Sequence, residues 1–213
     1  MPEAARERRL WNDEVKALLD ALDKQTNQDI RDFVLLALVT GARKSNILSM
    51  RWDDVLPLER AIWRIPDTKN GLPHDLPLVD EAVGILSARL ARKKSEFVFP
   101  GSGRTGHLVE PKAAWAEVLK QAGIKNFRIH DLRRTQGSYQ ADAGIAIETI
   151  GQTLAHKSPI TTRIYARIAM DPRRQALEAG TAGIMKAAGR AKHHGEVEPF
   201  APDQPGAPTA APT

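Results

Sequence analysis

The sequence contains no cysteine and no long hydrophobic run. Without cysteine, the chain of 213 residues cannot form a disulfide scaffold, a thiolate zinc site or a thiol nucleophile. Its longest apolar run, Phe33–Val39, is far shorter than the roughly 20 residues that a membrane-spanning helix needs. The charged N-terminus also lacks the apolar segment of a secretory signal. We therefore expect a soluble, intracellular protein with no membrane partner.

Basic residues outnumber acidic ones over most of the chain. The sequence holds 31 Lys and Arg against 26 Asp and Glu, a formal net charge of +5. Residues 190–213 contribute only two of the basic residues and three of the acidic ones, so the positive excess belongs to the rest of the chain. This balance favours a polyanionic partner such as nucleic acid, although mildly basic enzymes without such a partner are also common.

The composition changes near the C-terminus. Residues 199–213 contain five prolines, separated mainly by alanine, glycine and threonine. Such a segment buries too little apolar surface to offset the entropy of ordering it. We interpret residues 189–213 as a disordered tail, residues 10–188 as one ordered domain and residues 1–9 as a linker remnant.

Hydrophobic patterning predicts a mainly α-helical domain with one small antiparallel β-sheet, an α+β class. Asn12 is expected to cap the first helix, Asn27 is expected to start the second, and Gly41 is expected to end the second. Residues 61–66 resemble a strand with Ile62 and Ile65 as its apolar positions. The following Asn70-Gly71 predicts a hairpin with a returning strand over residues 72–79. Further helices are predicted at Asp80–Arg92, Pro111–Ala122, Asp131–Ala143, Ala146–Ala155, Pro159–Ile168 and Pro172–Ala188.

Six side chains of this domain suit chemistry at a phosphodiester. Arginine binds phosphate oxygens bidentately and stays charged at any working pH. Lysine or histidine can protonate a departing alkoxide, and tyrosine can be a covalent nucleophile. His130 and Arg133 are three apart at the start of a predicted helix, which places them on one face near the positive end of the helix dipole. In chain order the set is Arg43, Lys69, His130, Arg133, His156 and Tyr165.

The order and spacing of this set resemble the tyrosine recombinase, or phage integrase, family. The segment RIHDLRRT…LAHKSPITTRIYARI, from Arg128 to Ile168, is most similar to prophage and genomic-island integrases of proteobacteria. The resemblance covers residues 10–188 and implies the catalytic-domain fold of that family. It also implies site-specific DNA recombination, by integration or excision, with no metal and no other cofactor.

The resemblance further implies a role for each residue. Arg43 and Arg133 would hold the scissile phosphate, and Lys69 would protonate the 5′-oxygen leaving group. His130 and His156 would assist proton transfer and hold the non-bridging oxygens.

The nucleophile implied by the resemblance is Tyr165, which would form a 3′-phosphotyrosyl bond. The implied partners are double-stranded DNA attachment sites and further copies of the chain, assembled as a tetramer on DNA. The implied setting is a mobile genetic element acting in the cytoplasm, at the nucleoid of a bacterial host.

The sequence departs from the family pattern in three places. Asn46 stands where an acidic residue is usual, and an amide replaces the hydrogen bond of that carboxylate but not its charge. Ala155 stands where glycine is usual before the second histidine, a change that is tolerable if the local φ is negative. We also expect the N-terminal DNA-binding domains of the family to be absent from this chain.

Other functions remain open from the residues alone. A type IB topoisomerase uses similar Arg, Lys, His and Tyr chemistry, and a non-catalytic DNA-binding module could retain the same fold. Asp53 and Asp54 would suit a metal-dependent nuclease, but no third ligand is suitably spaced, and Asp54 is better interpreted as stabilising a turn. We interpret His193 and His194 as a chance pair in a flexible segment rather than a metal site.

Overall fold

The computed structural model describes residues 8–66 and 73–155. Within them, most elements are helices and one two-stranded antiparallel sheet is present, which confirms the predicted class of a mainly α-helical fold. None of the described helices is long and apolar enough to cross a membrane. The helices are α1 (Asn12–Asp23), α2 (Gln28–Thr40), α3 (Lys44–Leu48), α4 (Asp80–Leu90), α5 (Lys112–Gln121), α6 (Ile129–Asp142) and α7 (Ile147–Thr153). The strands are β1 (Ile62–Ile65) and β2 (His74–Pro77).

Helix α2 is the central helix of the described residues and packs against α4 and α6. The Asn27 side chain caps it by accepting hydrogen bonds from the backbone of Asp29 and Ile30, at 3.0 and 3.3 Å. Most of its apolar side chains are buried, among them Phe33 and Leu36 at 0% exposure. The start and the end predicted for this helix are therefore confirmed.

Gly41 ends α2 and lets other elements approach closely. Its φ of +61° is a left-handed conformation that glycine adopts at little cost. A Cβ atom at this position would lie 2.6 Å from Cδ2 of Leu154 and 3.1 Å from Cγ of Gln136. The end of α2 therefore lies directly against α6 and the residue that follows α7.

Of the two apolar positions noted in β1, Ile62 and Ile65, only Ile65 is buried. Trp63 and Ile65 are buried, at 1% and 4% exposure, whereas Ile62 is 45% exposed. Residues on one face of a strand are two apart, so Ile62 and Ile65 cannot share the buried face. The antiparallel pairing itself is confirmed, with Ile65 opposite His74 in β2.

Several predicted boundaries shift, and short elements appear that hydrophobic periodicity did not indicate. Asn12 begins α1 instead of capping it, and the backbone of Trp11 donates to the Glu14 carboxylate at 3.2 Å. Helix α3 and the 3-10 turns Trp52–Asp54 and Leu58–Arg60 are too short for a periodic pattern to develop. The predictions that fall outside the described residues are the turn Asn70-Gly71, the helices Pro159–Ile168 and Pro172–Ala188, and the tail.

A buried ion-pair cluster ties α2 to α4. Arg89, which is 6% exposed, donates to Asp32 at 2.8 Å and through Nε to the carbonyl of Val98 at 3.0 Å. Asp32 also accepts from Arg92 at 2.8 Å. Paired and hydrogen-bonded in this way, the buried charges are compensated within the fold. Asp32 lies in the first half of α2, whereas the candidate site lies at the other end of that helix.

Candidate active site

Three of the six predicted site residues lie in the part of the chain that the structure describes. Arg43 immediately precedes α3, and His130 and Arg133 lie in the first turns of α6. The other predicted residues, Lys69, His156 and Tyr165, fall outside the described residues.

Arg133 is buried and joins the ends of two helices. Its side chain is only 5% exposed, and Nη1 donates to the carbonyl of Gly41 at 2.7 Å. Nη2 donates to the carbonyl of Leu154, the residue that follows α7. The Arg133 guanidinium is therefore buried against backbone carbonyls, whereas most arginine side chains lie at the protein surface.

Arg43, which precedes α3, also binds a backbone carbonyl at the end of α7. Its Nη2 donates to the carbonyl of Ala155 at 2.9 Å, and the residue is half-buried. The two arginines thus bind successive carbonyls at the C-terminal end of α7. Carbonyls at a helix C-terminus carry partial negative charge, so they can hold two cations close together.

His130 adds an imidazole to the two guanidinium groups. The residue is exposed at the start of α6, but its ring lies against enough of the protein to lose part of its hydration. This desolvation, followed by the positive charges of Arg134 and Arg133, lowers the pKa of His130 below its ordinary value, and Asp131 opposes the shift. The ring is therefore neutral near pH 7 and can exchange a proton with a bound group.

Asp131 fixes the start of α6, on which His130 and Arg133 are placed. Its Oδ2 accepts from the backbone N–H of Arg128 at 2.8 Å, and its Oδ1 accepts from Arg134 at 3.0 Å. The carboxylate is 1% exposed. A buried acidic cap of this kind stabilises the first turn and orients the side chains that leave it.

His74 is a residue of this site that the sequence analysis missed. Burial lowers the pKa of His74, and the charges of Arg133 and Arg43 lower it further. A polar contact with the backbone of Thr153 and the charge of Asp75 oppose the shift. The sequence held one indication that His74 belongs to the site. His74 lies in the predicted strand that returns after Lys69.

Known proteins resemble this chain over most of its length. The phage integrase family matches residues 8–171 of the chain. This chain belongs to the phage integrase family. It is 30% identical to the integrase of Salmonella phage P22 over 180 residues, which are 79% of this chain and 46% of that protein. It is 29% identical to the tyrosine recombinase XerA of Pyrococcus furiosus over 175 residues, 79% of this chain and 60% of that protein. This integrase-family chain thus spans about half the length of these curated relatives.

Solved structures of integrases and recombinases share the fold. The catalytic domain of bacteriophage HP1 integrase aligns with a TM-score of 0.62 at 23% identity, covering 80% of this chain and 93% of that one. The XerA recombinase aligns with a TM-score of 0.65 at 22% identity, covering 84% and 65%. The Tn1549 transposon integrase, in complex with circular intermediate DNA, aligns with a TM-score of 0.69 at 17% identity, covering 83% and 68%.

Two of the departures from the integrase-family pattern fall on described residues. Ala155 has a φ of +47°, so the condition of a negative φ is not met, and the alanine occupies a left-handed conformation. Asn46 is half-buried in α3, where its Oδ1 accepts from the Ser45 hydroxyl at 3.5 Å.

The interpretation of Asp54 as a turn residue agrees with a hydrogen bond in the structure. Its carboxylate accepts from the backbone N–H of Arg51 at 3.2 Å.

Replacing Ala155 by glycine is expected to stabilise the integrase fold by about 1 kcal/mol. Glycine adopts positive φ without the clash that an L side chain makes there, which outweighs its larger loss of backbone entropy. Denaturant unfolding of the free protein measures the change. Ala143→Gly is the matched control, because Ala143 ends α6 with an ordinary φ of −77° and should only lose stability. Equal losses in both variants would contradict the prediction.

Acidification is expected to destabilise the DNA-free protein. His74 and His130 both have a pKa below the ordinary value of about 6.5. The unfolded chain therefore binds protons more readily than the folded protein, and the free energy of unfolding falls as the pH drops below about 6.5. Denaturant titrations between about pH 7.5 and pH 5.5 measure the slope. His74→Gln and His130→Gln should each flatten it, and an unchanged slope in both would contradict the prediction.

Proposed function

We propose that this chain is the catalytic domain of a tyrosine-type site-specific DNA recombinase, which cleaves and rejoins DNA during integration or excision. The observation that carries the proposal is the convergence of Arg43 and Arg133 on the end of α7, directly before His156 in sequence. Two guanidinium groups from separate elements form a site suited to one phosphodiester. The names of the relatives, an integrase and tyrosine recombinases, support the same activity.

In the proposed cleavage step, the Tyr165 hydroxyl oxygen attacks the phosphorus and the bond from phosphorus to the 5′-oxygen breaks. The nucleophile loses its proton to a neutral imidazole, for which His130 and His156 are the candidates, and Lys69 protonates the 5′-oxygen. Arg43 and Arg133 hold the non-bridging oxygens, on which negative charge develops. The reverse sequence, with a new 5′-hydroxyl as the nucleophile, rejoins the strands.

The proposed substrate is double-stranded DNA that contains an attachment site. Solved relatives support this partner, since the Tn1549 transposon integrase was captured with circular intermediate DNA and XerH with its difH substrate. We extend the proposal to a tetramer of chains on paired sites, in the cytoplasm of a bacterial host at its nucleoid. Each chain would then supply one nucleophile for one strand.

Covalent capture tests the proposal and also identifies the target. The chain is incubated with nicked duplexes of randomised sequence, whose cleavage releases a short fragment and traps the protein on DNA. We expect an SDS-resistant adduct with a restricted set of sequences. DNA binding without any adduct would instead indicate a non-catalytic module, and relaxation of supercoils without site preference would indicate a type IB topoisomerase.

Adduct formation is expected to be insensitive to metal removal. Arginine, lysine and histidine side chains stabilise the negative charge of the transition state, so the reaction needs no divalent ion. The same capture assay, with and without EDTA, measures this. Loss of the adduct in EDTA and its recovery with magnesium would contradict the proposed mechanism.

A further inference from the structure

His74 is an ionisable residue beside Arg43 and Arg133. The proposed reaction assigns no role to His74. It is the first residue of β2 and pairs with Ile65, at the end of the sheet next to residues 67–72. Its ring is close enough to Arg43 and Arg133 for both charges to act on it, and it contacts the backbone of Thr153. The backbones of residues 153, 154 and 155 therefore face His74, Arg133 and Arg43 in turn.

Within residues 8–66 and 73–155, no group forms a hydrogen bond with the Nε2 atom of His74. The atom is also buried. A buried polar atom without a partner costs about 1–3 kcal/mol, which a ligand that pairs with it would recover. The described residues hold other atoms of this kind, namely Nε of Arg31 and Nε1 of Trp52, Trp63 and Trp115, so the position of His74 beside the two arginines is what singles it out. Among the described residues, the charged groups that act on the ring are Arg43, Arg133 and Asp75. With two cations and one carboxylate around it, the ring is neutral until a further negative charge arrives.

We propose that His74 is a third phosphate-binding residue of this site, and that its Nε2 donates a hydrogen bond to a non-bridging oxygen of the bound phosphodiester. A phosphate held by Arg43 and Arg133 neutralises part of their charge and favours the protonated imidazole. The proton comes from solvent, so binding of each phosphodiester takes up one proton at His74. This inference rests on the proposed function of the site.

Two substitutions separate phosphate binding from a purely structural role. The amide nitrogen of glutamine can occupy the position of Nε2, whereas that of asparagine reaches only the position of Nδ1. Binding to the captured duplex is measured in chains of all 213 residues that also carry Tyr165→Phe, so that no covalent step intervenes. We expect His74→Asn to weaken binding about tenfold near pH 6 and His74→Gln to retain most of the affinity.

Proton uptake is the readout that a structural role would not change. Calorimetric titration with the same duplex, in buffers of different ionisation enthalpy, gives the number of protons bound per complex. We expect both His74 variants to take up about one proton fewer than the parent chain near pH 7. His107→Asn is the matched control, since His107 is also half-buried but its Nδ1 lies 2.9 Å from the Leu108 carbonyl and its ring makes an edge-on contact with Phe97.

The outcomes distinguish this inference from the proposed function. If the wild-type chain forms no adduct with any duplex, the proposed function fails. If the wild-type chain forms the adduct and both His74 variants show unchanged affinity and proton uptake, His74 does not bind the phosphate. Loss of thermal stability in both variants, with unchanged proton uptake, would likewise overturn the inference.

Discussion

Replacing Tyr165 by phenylalanine is expected to abolish covalent capture of DNA, by a factor of at least about 10⁴. The substitution removes the one oxygen that forms the phosphotyrosyl bond and keeps the aromatic ring, so packing and phosphate binding should survive. The chain has no cysteine that could replace the nucleophile. Denaturing gels measure adduct formation, and gel-shift titrations on the same duplex measure binding.

The second tyrosine of the chain provides the matched control. Tyr139 is one of only two tyrosines, and its hydroxyl donates to Asn12 at 2.7 Å on the protein surface. Tyr139→Phe should therefore form the adduct at the wild-type rate. An SDS-resistant adduct in Tyr165→Phe would place the nucleophile elsewhere and would require the site to be reassigned.

Replacing Arg133 by lysine is expected to lower the rate of adduct formation by about 10²–10³ even though the positive charge remains. The three N–H donors of lysine share one nitrogen, so lysine cannot bind a phosphate in the forked geometry of a guanidinium. It also cannot satisfy the carbonyls of Gly41 and Leu154 together, so the free energy of unfolding should fall by about 1–3 kcal/mol. Single-turnover capture rates and denaturant unfolding measure the two effects separately.

Arg89→Lys controls for the structural part of this effect. Arg89 matches Arg133 in burial, at 6% against 5% exposure, and it also donates to a backbone carbonyl. It belongs to the ion-pair cluster with Asp32, so its replacement should reduce stability without changing the capture rate of the folded protein. Equal capture rates in Arg133→Lys and Arg89→Lys would show that Arg133 is only structural.

The sequence predicted the long helices well because their stabilisation depends on patterns that a sequence displays. Helix α2 has an Asn cap, a run of apolar residues and a terminal glycine, and each of these acts locally. Helix α3 and the 3-10 turns are stabilised by their surroundings rather than by their own periodicity. The buried face of β1 was not predictable, because four residues are too few to show which alternation packs against the core. In the structure Trp63 and Ile65 form that face.

The candidate site was predictable only in part. Chemistry and family spacing indicated Arg43, His130 and Arg133, but no sequence pattern indicates that backbone carbonyls after α7 accept from the two arginines. His74 was missed because a histidine in a short strand resembles any other polar strand residue until its neighbours are known. The positive φ of Ala155 was also hidden, since alanine ordinarily avoids that conformation.

The carbonyls at the end of α7 would also affect the entropy of the proposed DNA binding. An arginine side chain that moves freely in the unbound state carries about 2 kcal/mol of rotamer entropy, part of which is lost when a ligand fixes it. The hydrogen bonds of Arg43 to Ala155 and of Arg133 to Leu154 already restrict these rotamers before any DNA is present. Much of the ordering that phosphate recognition requires therefore takes place when the domain folds. A variant that loosens the end of α7 should weaken association mainly through entropy, even though it removes no contact with the phosphate.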